Sequence, residues 1–198
     1  MFTFLGLSLP GTAPVTVDEP TLIQQAQGDL SKFADLYQRY TNQVYRYLLI
    51  RTGNVHEAQD LTSQTFLAAM ENLHKYRGDS PFAAWLLGIA RNKLNDMFRR
   101  QKPQLDLESA FALAVEDQTE EYVEHQLQIQ QAAQKLRTIS PDRAEAISLR
   151  LFAGLEVPEI ARLMGKNETA VRMLVMRGLR DLQAQLSPQL SGNVEMGS

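Results

Sequence analysis

The groups in this chain best placed to do chemistry are cations with no catalytic partner. Arg172, Arg177 and Arg180 recur near the C-terminus, with Thr169, Met173 and Met176 among them. On an α-helix these residues share one side, because positions three and four apart stack on each other. Guanidinium groups bind phosphates and guanine edges, and a small hydroxyl near a helix N-terminus meets base edges. Exposed methionine suits either thymine methyls or contact with another protein. Such a side recognises a partner; it does not transform one. Reactive constellations are missing. There is no cysteine, and His56, His74 and His125 are scattered. Gly165-Lys166 lacks the earlier glycine of a phosphate loop, because Ile160 stands there. No Gly-x-Ser-x-Gly occurs. No catalytic residue, metal site, cofactor or small-molecule substrate is expected.

Two helices must position the basic side. Pro158 suits the first turn of a short helix whose apolar side is Ile160, Ala161, Leu163 and Met164. Gly165 ends it, and Asn167 can cap the next helix, with Glu168 in its first turn. In that helix Val171, Leu174, Val175, Gly178, Leu179 and Leu182 face inward. Helix, glycine turn and basic second helix make a helix-turn-helix, which lays its second helix in a DNA major groove. A plain packing hairpin has the same pattern, so the rest of the chain must decide between them.

Charge is distributed unevenly. The 198 residues carry a formal net charge of −3, yet Gln104 to His125 holds seven acids and no Lys or Arg. Arg91 to Lys102 and Arg162 to Arg180 each hold five basic residues and one acid. Two cationic segments therefore flank an anionic connector, and cationic clusters are the footprint of phosphate contact. No apolar run approaches the roughly 20 residues that span a bilayer. Met1 to Pro20 reads as a loose tail without the basic start of a signal peptide. A cytoplasmic protein without membrane insertion is expected.

The pattern is helical throughout, with no strand or hairpin signal. Ser31 to Thr52 forms a helix burying Phe33, Leu36, Tyr37, Tyr40, Val44, Tyr47 and Leu48. Asn54 caps a second helix to Tyr76, with Ala58, Leu61, Thr65, Phe66, Ala69 and Leu73 inward. Ser80-Pro81 opens a third to Gln101, with Phe82, Trp85, Leu86, Ile89 and Ala90 toward the core. Helices over Tyr122 to Leu136 and Ser140 to Phe152 precede the terminal hairpin. The expected fold is all-α: two small helical domains, 21–102 and 122–187, joined by a flexible acidic linker over 103–121, with tails 1–20 and 188–198.

Four segments in this order resemble the extracytoplasmic-function (ECF) group of bacterial sigma factors. Phe33-Ala-Asp-Leu-Tyr-Gln-Arg-Tyr with Val44-Tyr-Arg-Tyr-Leu is similar to the opening helix of sigma region two. Glu57-Ala-Gln-Asp-Leu-Thr-Ser-Gln-Thr-Phe-Leu is similar to the family's Asp-Leu-x-Gln-x-x-Phe stretch, although here Thr65-Phe66 directly follows Gln64. Phe82 to Arg100, with Trp85-Leu-Leu-Gly-Ile-Ala-Arg-Asn inside it, is the most distinctive match. The terminal hairpin resembles region four. It departs from the frequent Thr-Val-Lys-Ser-Arg-Leu order, reading Ala170-Val-Arg-Met-Leu-Val, so a family-typical arginine is replaced by Leu174.

The resemblance implies a factor that binds core RNA polymerase and directs promoter-specific initiation. Region two engages and melts the minus-ten element; region four reads the minus-thirty-five element. Glu57, Asp60, Gln64 and Glu71 would meet the polymerase clamp coiled coil, and the polymerase flap is a second contact. A solvated helix side explains the same four residues. Tyr76, Arg77, Gly78, Asp79 and Ser80 lie where the family captures an extruded base. Arg91, Asn92, Lys93, Arg99 and Arg100 would hold single-stranded DNA. Phe82 and Trp85 are assigned to the core. Glu168, Thr169, Arg172, Met173, Met176, Arg177 and Arg180 would read duplex. Promoter DNA and an anti-sigma protein are the other implied partners. The acidic connector either mimics nucleic-acid phosphates or is a solubilising linker. A duplex-binding regulator with a helical sensor domain, or a helical adaptor without promoter binding, remain alternatives.

Overall fold

The computed structural model describes residues 18–101 and 120–186. Residues 1–17, 102–119 and 187–198, which include most of the expected tails and acidic linker, lie outside the described residues. Those described form eight α-helices and no strand. The first bundle comprises α1 (Glu19–Gly28), α2 (Phe33–Thr52), α3 (Val55–Asn72) and α4 (Phe82–Gln101). The second comprises α5 (Glu120–Thr138), α6 (Pro141–Ile147), α7 (Val157–Met164) and α8 (Glu168–Leu186). A π-turn over Ser148–Phe152 extends α6.

Helix α1 corrects the tail boundary at Pro20. The Asp18 carboxylate accepts from the Thr21 N–H at 3.3 Å and its hydroxyl at 2.7 Å, and Pro20 sits in the first turn. That is a complete helix start. The helix buries Leu22, Ile23 and Ala26 against the bundle. Three apolar positions in ten residues were too few to show a period.

The predicted inner sides of α2 and α3 are buried, with one exception. Tyr37 is exposed and lies edge-on to Phe66, with ring centroids 4.7 Å apart. Leu36, Leu48, Leu86 and Leu94 are fully enclosed. Burial of each such side chain stabilises the fold by roughly 1.5–3 kcal/mol. On α4, Phe82, Leu86 and Ala90 are buried as expected, whereas Trp85 and Ile89 are only half-buried. Those two look toward the second bundle.

In the second bundle α8 presses on α6 at Gly178. A Cβ there would stand 2.5 Å from Ile147 Cδ1 and 3.1 Å from Arg143 Cβ, so a larger residue would force the helices apart. Arg143 and Asp181 pair at 2.5 Å beside this crossing. Leu179, expected inside, is 42% exposed, because it lies about 100° round the helix from Gly178.

Buried contacts cross between the bundles. The main cluster runs from Leu36, Leu48 and Leu87 into Leu149, Leu155, Ile160 and Val171. Ile50 of α2 joins Leu136, Ile139, Ala144 and Ile147. The bundles are docked along α2 and α4.

Two buried phenols carry a pH prediction. Tyr40 donates to the Glu19 carboxylate, and Tyr47 donates to Glu145 Oε1 at 2.9 Å. Burial first, then these carboxylates, raise both phenols above their ordinary value of 10.0. Below that pH the folded and unfolded chains are both protonated, and the stabilisation is fully present. Above it the unfolded chain ionises first, so stability falls by up to about 1.4 kcal/mol per pH unit per phenol. Urea midpoints measured from pH 9 to 11 will drop, and the drop will shrink in Tyr47→Phe. A flat profile would contradict the assignment.

Candidate nucleic-acid and protein interfaces

The residues expected to meet polymerase lie on α3. Asn54 Oδ1 accepts from the Glu57 N–H at 3.1 Å and fixes the helix start. Glu57, Asp60, Gln64 and Glu71 then fall in one narrow stripe by helical periodicity. Asp60, Gln64 and Glu71 are exposed and Glu57 is half-buried. The same stripe contains Leu67, which is 56% exposed. Sequence reasoning missed it, although Leu67 is out of phase with every inward residue of α3. An exposed leucine ringed by polar groups is the usual composition of a protein contact.

The expected base-capture turn is held from both sides. The Gln27 side-chain amide on α1 donates to the Leu73 carbonyl at 3.0 Å and the Tyr76 carbonyl at 2.9 Å. The Tyr76 hydroxyl donates to the Ser80 carbonyl at 2.5 Å, closing the turn. Its ring centroid lies 5.3 Å from those of Phe82 and Trp85. Burial, then the carboxylates Glu19 and Asp79, push this phenol above its ordinary range. Arg77, Gly78 and Asp79 are exposed, and Gly78 has a φ of 80°. A cavity of about 660 Å³ opens between this turn, α1 and Arg162.

A second groove, of about 370 Å³, runs along α4 beside Trp85, Gly88, Ile89 and Asn92 and reaches Ser80. Trp85 thus stands half in the core and half in a groove. Phe82 is wholly core. The structure therefore gathers Tyr76, Ser80 and Asn92 with Trp85. The basic residues of α4 do not join them as one set. Asn92 and Arg99 share the Trp85 stripe, whereas Lys93 and Arg100 lie about 100° round. Arg99 is exposed and pairs with Asp96 at 2.7 Å.

Arg91 departs furthest from expectation. Its Nε lies 3.2 Å from Glu145 Oε1 on α6, and its NH1 donates to the Leu163 carbonyl at 3.4 Å. The Nε contact is an ion pair off the angle of a hydrogen bond. Glu145 itself is 5% exposed. It accepts from Tyr47 OH at 2.9 Å and Arg51 NH1 at 2.6 Å. Sequence reasoning gave Glu145 no role. The available signal was an acid standing among apolar neighbours on a short helix.

The recognition side of α8 is open. Asn167 Oδ1 accepts from the Ala170 N–H at 2.7 Å, and Gly165, with a φ of 64°, makes the tight turn from α7. Glu168, Thr169, Arg172, Met176, Arg177 and Arg180 are exposed, and Met173 is half-buried. Glu168 pairs with Arg172 at 2.7 Å, whereas Arg177 and Arg180 are in none of the ion pairs among the described residues. Among the described residues no helix is long and apolar enough to cross a membrane.

Comparison with known proteins bears directly on this arrangement. The family model for sigma-70 region 2 matches residues 36–104, and that for sigma-70 region 4 matches residues 129–182. The chain is similar to the ECF RNA polymerase sigma factor BldN of Streptomyces coelicolor, at 39% identity over 84% of this chain and 65% of BldN. It thus spans just under two thirds of that relative. It is 31% identical to the RNA polymerase sigma factor NccH of Alcaligenes xylosoxydans xylosoxydans, over 86% of this chain and 95% of NccH. Its fold is similar to that of the sigma factor RpoE from Bartonella quintana, solved in complex with the anti-sigma factor NepR. That match has a TM-score of 0.63 at 23% identity, over 79% of this chain and 98% of the other. The two helical units, their order and these relatives converge: the chain belongs to the ECF group of the sigma-70 family of RNA polymerase sigma factors.

Proposed function

We propose that this chain is the promoter-selecting subunit of a bacterial RNA polymerase, with no chemistry of its own, acting in the cytoplasm where template and polymerase are found. Residues 21–102 bind core polymerase and the melted minus-ten element, and residues 122–187 read the minus-thirty-five duplex. The observation that carries the reading is the presence of three different surfaces on one chain. The α3 stripe of Asp60, Gln64, Leu67 and Glu71 suits the clamp coiled coil. The Tyr76 turn and the Trp85–Asn92 groove suit unpaired bases, which are held by stacking and backbone charge. The exposed side of α8 suits a major groove. A regulator that binds only duplex has no use for the groove on α4. An anti-sigma protein, the class of partner carried by the Bartonella relative, is proposed as well.

Run-off transcription with purified core polymerase tests the reading. Addition of the chain is expected to produce promoter-specific transcripts, and absence of any complex with core enzyme would sink it. Arg177→Ala and Arg180→Ala will each weaken minus-thirty-five binding, by about 1–3 kcal/mol where a guanine is read, or will lower the salt slope by about one where a phosphate is met. Leu67→Arg is expected to weaken association with core polymerase by at least about tenfold while leaving thermal unfolding unchanged, because the residue is exposed. The chain alone should bind duplex promoter weakly and with strong salt sensitivity. Nanomolar binding at physiological salt without polymerase would count against a polymerase-dependent factor.

A further inference from the structure

We infer that α1 supplies a base-reading wall to the capture turn: Glu19 and Gln24 address the edge of the extruded base and select one that carries an exocyclic amino group. The inference rests on the reading of the Tyr76 turn as the site of an unpaired base. Three observations carry it. Glu19 and Gln24 of α1 line the same cavity of about 660 Å³ as Gly78, Asp79 and Ser80. A buried phenol holds the Glu19 carboxylate in place, because Tyr40 donates to its Oε2. The Gln27 amide, bonded to the Leu73 and Tyr76 carbonyls, fixes α1 against the turn. Wall and turn therefore keep one spacing. Beside Gly78 there is room, since an added Cβ would meet nothing within 4 Å.

The chemistry of the wall sets what it can take. A carboxylate only accepts hydrogen bonds, and at Glu19 Tyr40 takes one of the two oxygens. Gln24 is exposed and offers an amide, which both donates and accepts. Adenine, cytosine and guanine each present an exocyclic amine on the edge that duplex pairing uses. Thymine presents one N–H between two carbonyls. A carboxylate accepts from the amine and is repelled by the carbonyls, and the Gln24 amide can bond the ring atom or carbonyl beside it. Asp79 adds a second acceptor to the same cavity, and Arg77 adds a cation for the phosphates of the strand. A site built around a donor strongly rejects a base without one, because its acceptor gives up water and gains no partner.

Reconstituted holoenzyme, fork-junction DNA with a randomised minus-ten strand, and sequencing of the bound strands test the wall. The parent is expected to disfavour thymine about tenfold at one position, the loss that follows when a hydrogen bond to a charged group is not made. An analogue lacking the amine there (purine for adenine, 2-pyrimidinone for cytosine, hypoxanthine for guanine) will lose about as much. Glu19→Gln keeps an acceptor for Tyr40 yet adds a donor, so thymine enters that position nearly as well as the other bases. Gln24→Ala, at an exposed site, flattens the same position. Asp79→Ala, on the turn, marks the position that the turn serves. Circular dichroism and gel filtration with core polymerase confirm that each variant is folded and assembles. A parent that admits thymine freely at the Asp79-sensitive position, or a preference there that survives both α1 variants, overturns the wall and leaves the role of the turn standing. If none of the three variants alters any minus-ten position, in a holoenzyme that still selects promoters, the capture reading itself falls.

Discussion

A carboxylate removed from water must recover elsewhere the solvation it has lost. At Glu145 that requirement is met by two guanidinium groups and a phenol. All three come from the other domain, so burial of this charge is compensated only while the two are together. Apolar contact alone permits sliding, because it has no direction. An acid flanked by Arg51 and Arg91 fixes one register between α6 and the pair α2 and α4. The position of α7 over the α4 groove follows from that register.

This constraint explains why the cationic segments of the sequence do not behave alike. The cations of α8 sit on a helix whose other side packs at Val171 and Gly178, so they project outward. Those of α4 sit on a helix with two packed sides. One meets the core through Leu86 and Leu94, and one meets the second domain through Gly88 and Arg91. A count of positive charges along the chain treats both segments as free surface. Only tertiary packing separates an exposed cation from one already paired across the domains.

Local periodicity made much of the fold legible. The inner sides of α2 and α3, the caps at Asn54 and Asn167, and the turn at Gly165 follow from spacing and residue type. What the pattern hid was long-range. Tyr47 and Arg51 lie 98 and 94 positions before Glu145, and no window of sequence joins them. Trp85 had the spacing of a core residue, but spacing cannot tell burial in a core from partial cover by a second domain. Leu67 is legible as a leucine out of phase with the inward side of α3, set among acidic and amide neighbours. Helix α1 was hidden by brevity, although Asp18 and Pro20 announce its start.

That short helix has an effect beyond its size. By tying the Leu73 and Tyr76 carbonyls with one amide, Gln27 removes much of the conformational freedom of the loop beneath Gly78. A recess that is already formed loses little further entropy when a guest enters. The discrimination such a recess exerts is then set by shape and donor placement, with little left to the plasticity of its rim.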